Sequence, residues 1–87
     1  MLKNAEIAQR LEAIRLAHEF PKREFAQAIG LDPSSYSKVL SGTKPLKAEY
    51  ALLAAERFNV PMDYIYRGKT ADVPYRVIQA AEQAASE

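Results

Sequence analysis

The sequence predicts an all-α domain of six short helices, and three observations carry that prediction. Apolar residues recur at three- and four-residue spacings through most of the chain. Prolines, glycines and Asx residues interrupt that pattern at helix-length intervals, and no stretch alternates with period two for long enough to make a strand. At 87 residues the chain is one domain. Folding buries only about 60% of the unfolded surface at this size, so there is room for a single core.

The elements follow in order. Asn4–His18 predicts an amphipathic helix: Ile7, Leu11 and Ile14 line one face with Ala8, while Glu6, Arg10, Glu12 and Arg15 are expected outward and Asn4 is a plausible N-cap. Phe20-Pro21 ends it, because the residue before proline avoids the α region. Lys22–Ile29 is a second helix with Phe25, Ala26 and Ile29 on one side, and Gly30 supplies its left-handed stop. Asp32-Pro33 then restarts the chain, as aspartate is a favoured N-cap and proline is preorganised for the first helical position. The third helix runs Pro33–Leu40 with Tyr36, Val39 and Leu40 inward, and Ser41–Pro45 is turn chemistry.

A fourth helix is expected over Lys47–Phe58, with Ala51, Leu52, Ala55 and Phe58 on its buried stripe and Asn59 as its cap. Val60-Pro61-Met62 opens a fifth, in which Met62, Ile65 and Tyr66 pack before Gly68. After a linker at Ala71–Val73, Pro74–Ala85 forms a last helix with Val77, Ile78, Ala81 and Ala84 or Ala85 on one face. We divide the chain at residue 70, with 71–87 as a C-terminal extension.

Composition narrows the function. The longest apolar run, Ala51–Ala55, is far short of the roughly 18 residues of a spanning helix, so no membrane role is expected. Met1–Asn4 leads directly into a charged helical pattern without a signal-type apolar core, which predicts a cytoplasmic protein. With no cysteine and one histidine, His18, neither a metal site nor a cofactor is expected. At the end of the first helix a charged His18 would be mildly stabilising. No nucleophile–base pair, phosphate-cradling loop or spaced carboxylate pair stands in a recognisable context, so the chain is not expected to be an enzyme.

The net charge of +1 is unevenly spread. Lys22–Lys47 holds five cations (Lys22, Arg23, Lys38, Lys44, Lys47) against Glu24 and Asp32, a net +3, whereas residues 71–87 carry one cation and three acids, a net −2. A polyanion-binding face produces such an asymmetry.

Lys22–Ser41 is the informative stretch. Two helices of about two turns are joined by Gly30-Leu31-Asp32, the connection length of a helix-turn-helix. Ala26 is small where two steeply crossing helices must approach, and Phe25, Ile29, Leu31, Tyr36 and Val39 fall where both would bury side chains. With these residues at these spacings, the segment resembles the lambda-repressor and Cro type of helix-turn-helix, the XRE family. The similarity spans about Asn4–Gly68 and includes Val60–Ile65, which looks like that family's fifth helix.

The resemblance implies a lambda-repressor-like five-helix DNA-binding domain, here with an extra C-terminal helix, whose third helix enters the major groove of double-stranded DNA. Carried over by position, the base-reading residues are Pro33, Ser34, Ser35 and Lys38. Of these, Lys38 is the best placed to discriminate, since lysine can donate to guanine O6 and N7. The implied phosphate contacts are Lys22, Arg23, Ser37, Thr43, Lys44 and Lys47, with Tyr50 as a further candidate. The family usually has a hydroxyl cap where Pro21 stands and Gln where Lys22 stands. Two cations therefore sit at a helix N-terminus, which disfavours each by about 0.3–1 kcal/mol. A DNA phosphate there would offset that cost. Asp32 has the opposite effect, an acid near the phosphate path that is expected to lower affinity.

Two functional readings follow. In the first, a Cro-like transcriptional repressor binds a palindromic operator as a homodimer, using Tyr64, Ile65 and Tyr66, or Val77 and Ile78, for the dimer contact. The tail helix is favoured because its Ala/Val/Ile face lacks an evident partner in five helices. In the second, an antitoxin-type module covers a small protein partner with the Pro74–Ala85 helix. The tyrosines at 50, 64, 66 and 75 are expected to be core or interface aromatics with wet hydroxyls rather than base-stacking platforms.

Overall fold

The computed structural model describes residues 3–85, and no side-chain placement is described for Ala85. Within them six helices follow one another: α1 (Asn4–Ala17), α2 (Lys22–Ala28), α3 (Pro33–Leu40), α4 (Ala48–Phe58), α5 (Met62–Arg67) and α6 (Tyr75–Ala85). The sequence boundaries hold to within a residue or two, the ordinary uncertainty of a helix end. No helix among the described residues is long and apolar enough to cross a membrane.

Aromatic contacts join the N-terminal helices to α4. Phe25 of α2 stacks on Phe58 of α4 with ring centroids 5.1 Å apart and lies 5.6 Å from Tyr36 of α3. Phe20 meets Phe58 edge-on at 5.4 Å, one of the two arrangements the ring quadrupole favours. Leu11 and Ile14 of α1, Ile29, Ile65 and Val77 complete the set of large, fully enclosed side chains.

The chain turns by recognisable end motifs. At the end of α2, Leu31 N–H donates to the Ala26 carbonyl (2.9 Å) and Gly30 N–H to Gln27 (3.1 Å), with Gly30 at φ +85°. That is the double Schellman closure, and it needs a left-handed residue at Gly30. Leu53 Cδ1 of α4 would lie 3.0 Å from a Cβ there, with the Tyr50 ring just beyond, so α4 packs directly on the turn. The same pair of bonds ends α1, from Phe20 to Arg15 and from Glu19 to Leu16, but the left-handed residue is Glu19 (φ 55°). Asn59 (φ 56°) closes α4 as expected.

Several expectations are corrected. Asn4 is the first residue of α1 rather than its cap; Lys3 takes the cap position and no side chain bonds the free amides. On α4 the buried residues are Ala51, Ala54 and Phe58, while Leu52 is 48% exposed and Leu53 44%. Small alanines face the core there because α2 and α5 press against this helix, and a leucine on that face would hold them apart. Glu12 and Arg15 are not outward but half-buried, joined by a bidentate ion pair (Nε–Oε2 2.9 Å, Nη2–Oε1 2.8 Å). Arg10 is half-buried too, donating to the Ile65 carbonyl at 3.3 Å.

The largest correction concerns the tail. Helix α6 packs along α1, Val77 is fully enclosed, and Ile78 and Ala81 are half-buried against the core. The apolar face that seemed to lack a partner has one within the chain. Val77 is thus not presented to a second molecule. Tyr64, 4% exposed, is not presented either, and half-buried Tyr66 gives its hydroxyl to the Leu46 carbonyl at 2.7 Å. His18 lies at the end of α1 as expected, but its ring packs 4.8 Å from Phe58. Burial first, then Arg76 and Arg57, pulls its pKa below the ordinary histidine value, so it is no helix-end cation at neutral pH.

Candidate nucleic-acid interface

Helix α3 is anchored by one face and free on the other. Tyr36 and Val39 are buried, whereas Pro33, Ser34, Ser37 and Lys38 are exposed. Four side chains of two turns therefore point outward from a helix whose orientation is set underneath. Two contacts set it. The Tyr36 hydroxyl donates to Glu12 Oε2 at 2.7 Å, and Arg15, which holds Glu12, also donates to the Phe20 carbonyl at 2.9 Å. Burial pushes the Glu12 carboxyl up, but the hydrogen bonds from Arg15 and Tyr36 outweigh it and hold the pKa below 4.5, with Lys22 adding its charge. Burial and the Glu12 acceptor drive the Tyr36 phenol far above its usual range, so it remains a donor.

The start of α3 is fixed by Asp32. Its Oδ1 accepts from the Ser35 amide at 2.7 Å and its Oδ2 from the Ser35 hydroxyl at 3.2 Å. These bonds lower the aspartate pKa, with Lys44 contributing charge. Lys44 Nζ also lies 3.5 Å from Ser35 Oγ. Asp32 is therefore already partly compensated by the chain itself, which weakens the expectation that its charge repels a phosphate. Ser35, half-buried in this cluster, has its hydroxyl proton committed to Asp32, which leaves the oxygen as an acceptor only. Ser34 carries no such tie.

The loop after α3 folds back onto one atom. The Lys38 carbonyl accepts from the Thr43 amide (3.0 Å) and the Lys44 amide (3.2 Å), and the Ser41 and Thr43 hydroxyls, 2.9 Å apart and so bonded to each other, pass one proton on to it at 3.0–3.1 Å. Thr43, expected at a phosphate, is exposed, with its amide and its hydroxyl engaged in local hydrogen bonds. Lys22 and Arg23 are exposed at the start of α2, where the N-cap is Pro21 and no side chain caps the free amides. Lys47 is exposed at the start of α4.

The sequence reading missed the Glu12–Arg15–Tyr36 cluster. The available signal was a tyrosine on the inward face of α3: a buried phenol needs a partner for its hydroxyl, and a carboxylate three residues from an arginine on an adjacent helix is a ready one.

Two short helices at a fixed turn, the second presenting a polar, cationic face between flanking cations, define a helix-turn-helix DNA-binding domain. A family model described as helix-turn-helix matches residues 11–65, from the middle of α1 to the last turn of α5, and the chain belongs to that family, in its Cro and lambda-repressor (XRE) branch. The fold is accordingly of the all-α lambda-repressor type, and the chain is a DNA-binding regulator in the general sense. No curated protein and no solved structure matches it.

Proposed function

We propose that the chain is a Cro-like transcriptional repressor that binds a palindromic operator as a homodimer, with α3 in the major groove. The observation that carries this reading is the two-sidedness of α3: Tyr36 and Val39 locked inward, Ser34 and Lys38 exposed outward. Lys38 would donate to guanine, Ser34 would give a weaker polar contact, and Pro33 would offer apolar contact to a thymine methyl. Lys22, Arg23, Ser37, Lys44 and Lys47 would position the backbone. A phosphate at the start of α2 would relieve the unfavourable placement of Lys22 and Arg23.

Dimerisation follows from size. One helix-turn-helix buries too little surface for tight specific binding, and two half-sites about 34 Å apart are the usual remedy. The large apolar side chains left exposed are Leu16, Leu52, Leu53 and Tyr75, so the contact would use these rather than Val77. The antitoxin alternative loses its main support with Val77 enclosed.

The test is selection of bound duplexes from a random pool, followed by titration of the winner against wild type and Lys38→Ala at several salt concentrations. The repressor reading expects an inverted repeat, and a Lys38→Ala loss of about 1–3 kcal/mol with relaxed preference at one position. Weak binding without a motif, steeply salt-dependent and indifferent to Lys38, would leave only the electrostatic attraction and overturn the reading.

A further inference from the structure

On the side of the molecule built by α1, α5 and α6 there is a cleft of about 340 Å³, lined by Glu6, Gln9 and Arg10, Tyr64 and Gly68, and Ala81 and Ala84. It includes none of the residues assigned to DNA. Its size falls within the range of small-molecule sites, which are mostly apolar with a few placed polar groups.

Two features of the cleft are unexplained by folding. Tyr64 is 4% exposed, and its enclosed hydroxyl has no hydrogen-bond partner among the described residues. Buried hydroxyls are ordinarily paired, and one left unpaired calls for an acceptor. In the same cleft the Arg10 guanidinium lies over Gly68, with Nη2 only 2.8 Å from where a Cβ would stand. Of its five N–H groups, the one recorded bond is from Nη1 to the Ile65 carbonyl, long at 3.3 Å, and among the described residues it makes no ion pair. Gly68 thus leaves room for a guanidinium that a side chain would displace.

We propose that this cleft binds a small monocarboxylate with a compact apolar body. One carboxylate oxygen would accept a charge-assisted hydrogen bond from an unpaired N–H of Arg10. As Arg10 tilts toward it, the other oxygen would accept from the Tyr64 hydroxyl. The apolar body would lie against Ala81 and Ala84, where α6 offers only methyl groups. Glu6 on the rim limits the ligand to a single negative charge, since a second carboxylate would be repelled. Burial pushes the Tyr64 phenol pKa up while Arg10 draws it partly back, so the hydroxyl keeps its proton at neutral pH. The site stands independently of the DNA-binding reading.

Titration of the ¹⁵N-labelled full chain with benzoate, acetate, succinate and neutral benzamide, followed by amide spectra, tests it. The expected result is saturable shifts centred on Arg10, Tyr64 and Gly68 with benzoate, weaker ones with acetate, and none with benzamide or succinate. Arg10→Gln should weaken benzoate at least about tenfold. Because Arg10 also holds the end of α5, Tyr64→Phe provides the second arm. It should leave the Tm of the free protein unchanged or higher, as an unpartnered hydroxyl is removed, yet weaken benzoate severalfold. Absence of shifts at millimolar benzoate and acetate, equal response to benzamide, or a lower Tm in ligand-free Tyr64→Phe would each overturn the proposal.

Discussion

The hydroxyl of Tyr36 donates to Glu12 Oε2 at 2.7 Å, across 24 residues of chain, from the inner face of α3 to the middle of α1. Among the described residues it is the one side-chain hydrogen bond between these helices, and the acceptor is a carboxylate already gripped by Arg15. Bonds to charged groups are the stronger class, and this one is half-buried. Tyr36→Phe should therefore cost about 1–2 kcal/mol in urea unfolding while keeping the ring contact with Phe25. The same variant should blunt discrimination among duplexes more than it weakens nonspecific binding, which a competition assay at fixed salt would read.

Stability should fall on acidification through two groups, His18 from the higher pH and Glu12 from the lower. Burial, with Arg76 and Arg57, holds the folded His18 pKa below 6.5, so the unfolded chain takes up that proton at the higher pH. Its contribution is complete above pH 6.5 and is lost as the pH drops below that value. Glu12, also depressed in the fold, contributes above pH 4.5 and fails as the pH falls through its lower folded value. Urea midpoints across both windows should show His18→Phe abolishing the loss that begins below pH 6.5 and keeping the Glu12 loss, since the ring against Phe58 is kept.

Gly30→Ala should destabilise by about 1–2 kcal/mol, the cost of placing an L side chain in the left-handed region. The nearest obstruction, Leu53 Cδ1 at 3.0 Å, is the end of a half-exposed side chain and can yield, so the backbone dominates. Equilibrium unfolding of Gly30→Ala beside the smaller Leu53→Ala background separates the two contributions.

At Glu19 the opposite change should help. Its φ of 55° carries the same left-handed cost, and Glu19→Gly removes it at the expense of a more flexible unfolded chain. A net gain of about 0.5 kcal/mol is expected, read as a higher urea midpoint with unchanged slope.

Val77→Ala should lower stability by about 1–3 kcal/mol and leave the sedimentation-derived self-association constant unchanged, because the side chain is enclosed by its own chain. Leu52→Ser should do the reverse, weakening the homodimer proposed above with little effect on monomer unfolding. Equal effects of the two on assembly would contradict the assignment of α6 to the core.

The contrast between these residues shows what could be read in advance. Gly30, Asp32 and Asn59 were legible because each is a residue type with a specific backbone use, and each performs it. The buried faces of α1, α2 and α3 were legible from period alone. Leu52 was not, because periodicity assigns the bulkiest side chain to the core, whereas the close approach of α2 and α5 to α4 selects Ala51 and Ala54. Glu12 and Arg15 were misplaced for a related reason: charge predicts exposure until two charges neutralise each other beside a tyrosine. Glu19 gives no residue-level sign of its left-handed backbone. The placement of α6 on α1 was invisible since nothing in an Ala/Val/Ile stripe specifies which surface covers it. Among the interface residues, the exposure of Lys38 and Ser34 followed from helix phase. The diversion of Thr43 and Ser35 into local bonds needed coordinates.

The closure of the loop after α3 onto the Lys38 carbonyl has a thermodynamic consequence. A loop already closed on the helix it follows has little left to order when DNA arrives, and the Asp32 cap fixes the other end of the same helix. Association should then resemble rigid-body docking. Its heat-capacity change should match the surface the complex hides, without the surplus that accompanies coupled folding. The entropy of arranging this reader was met when the chain folded, so the DNA contributes contacts to a surface that is already in shape.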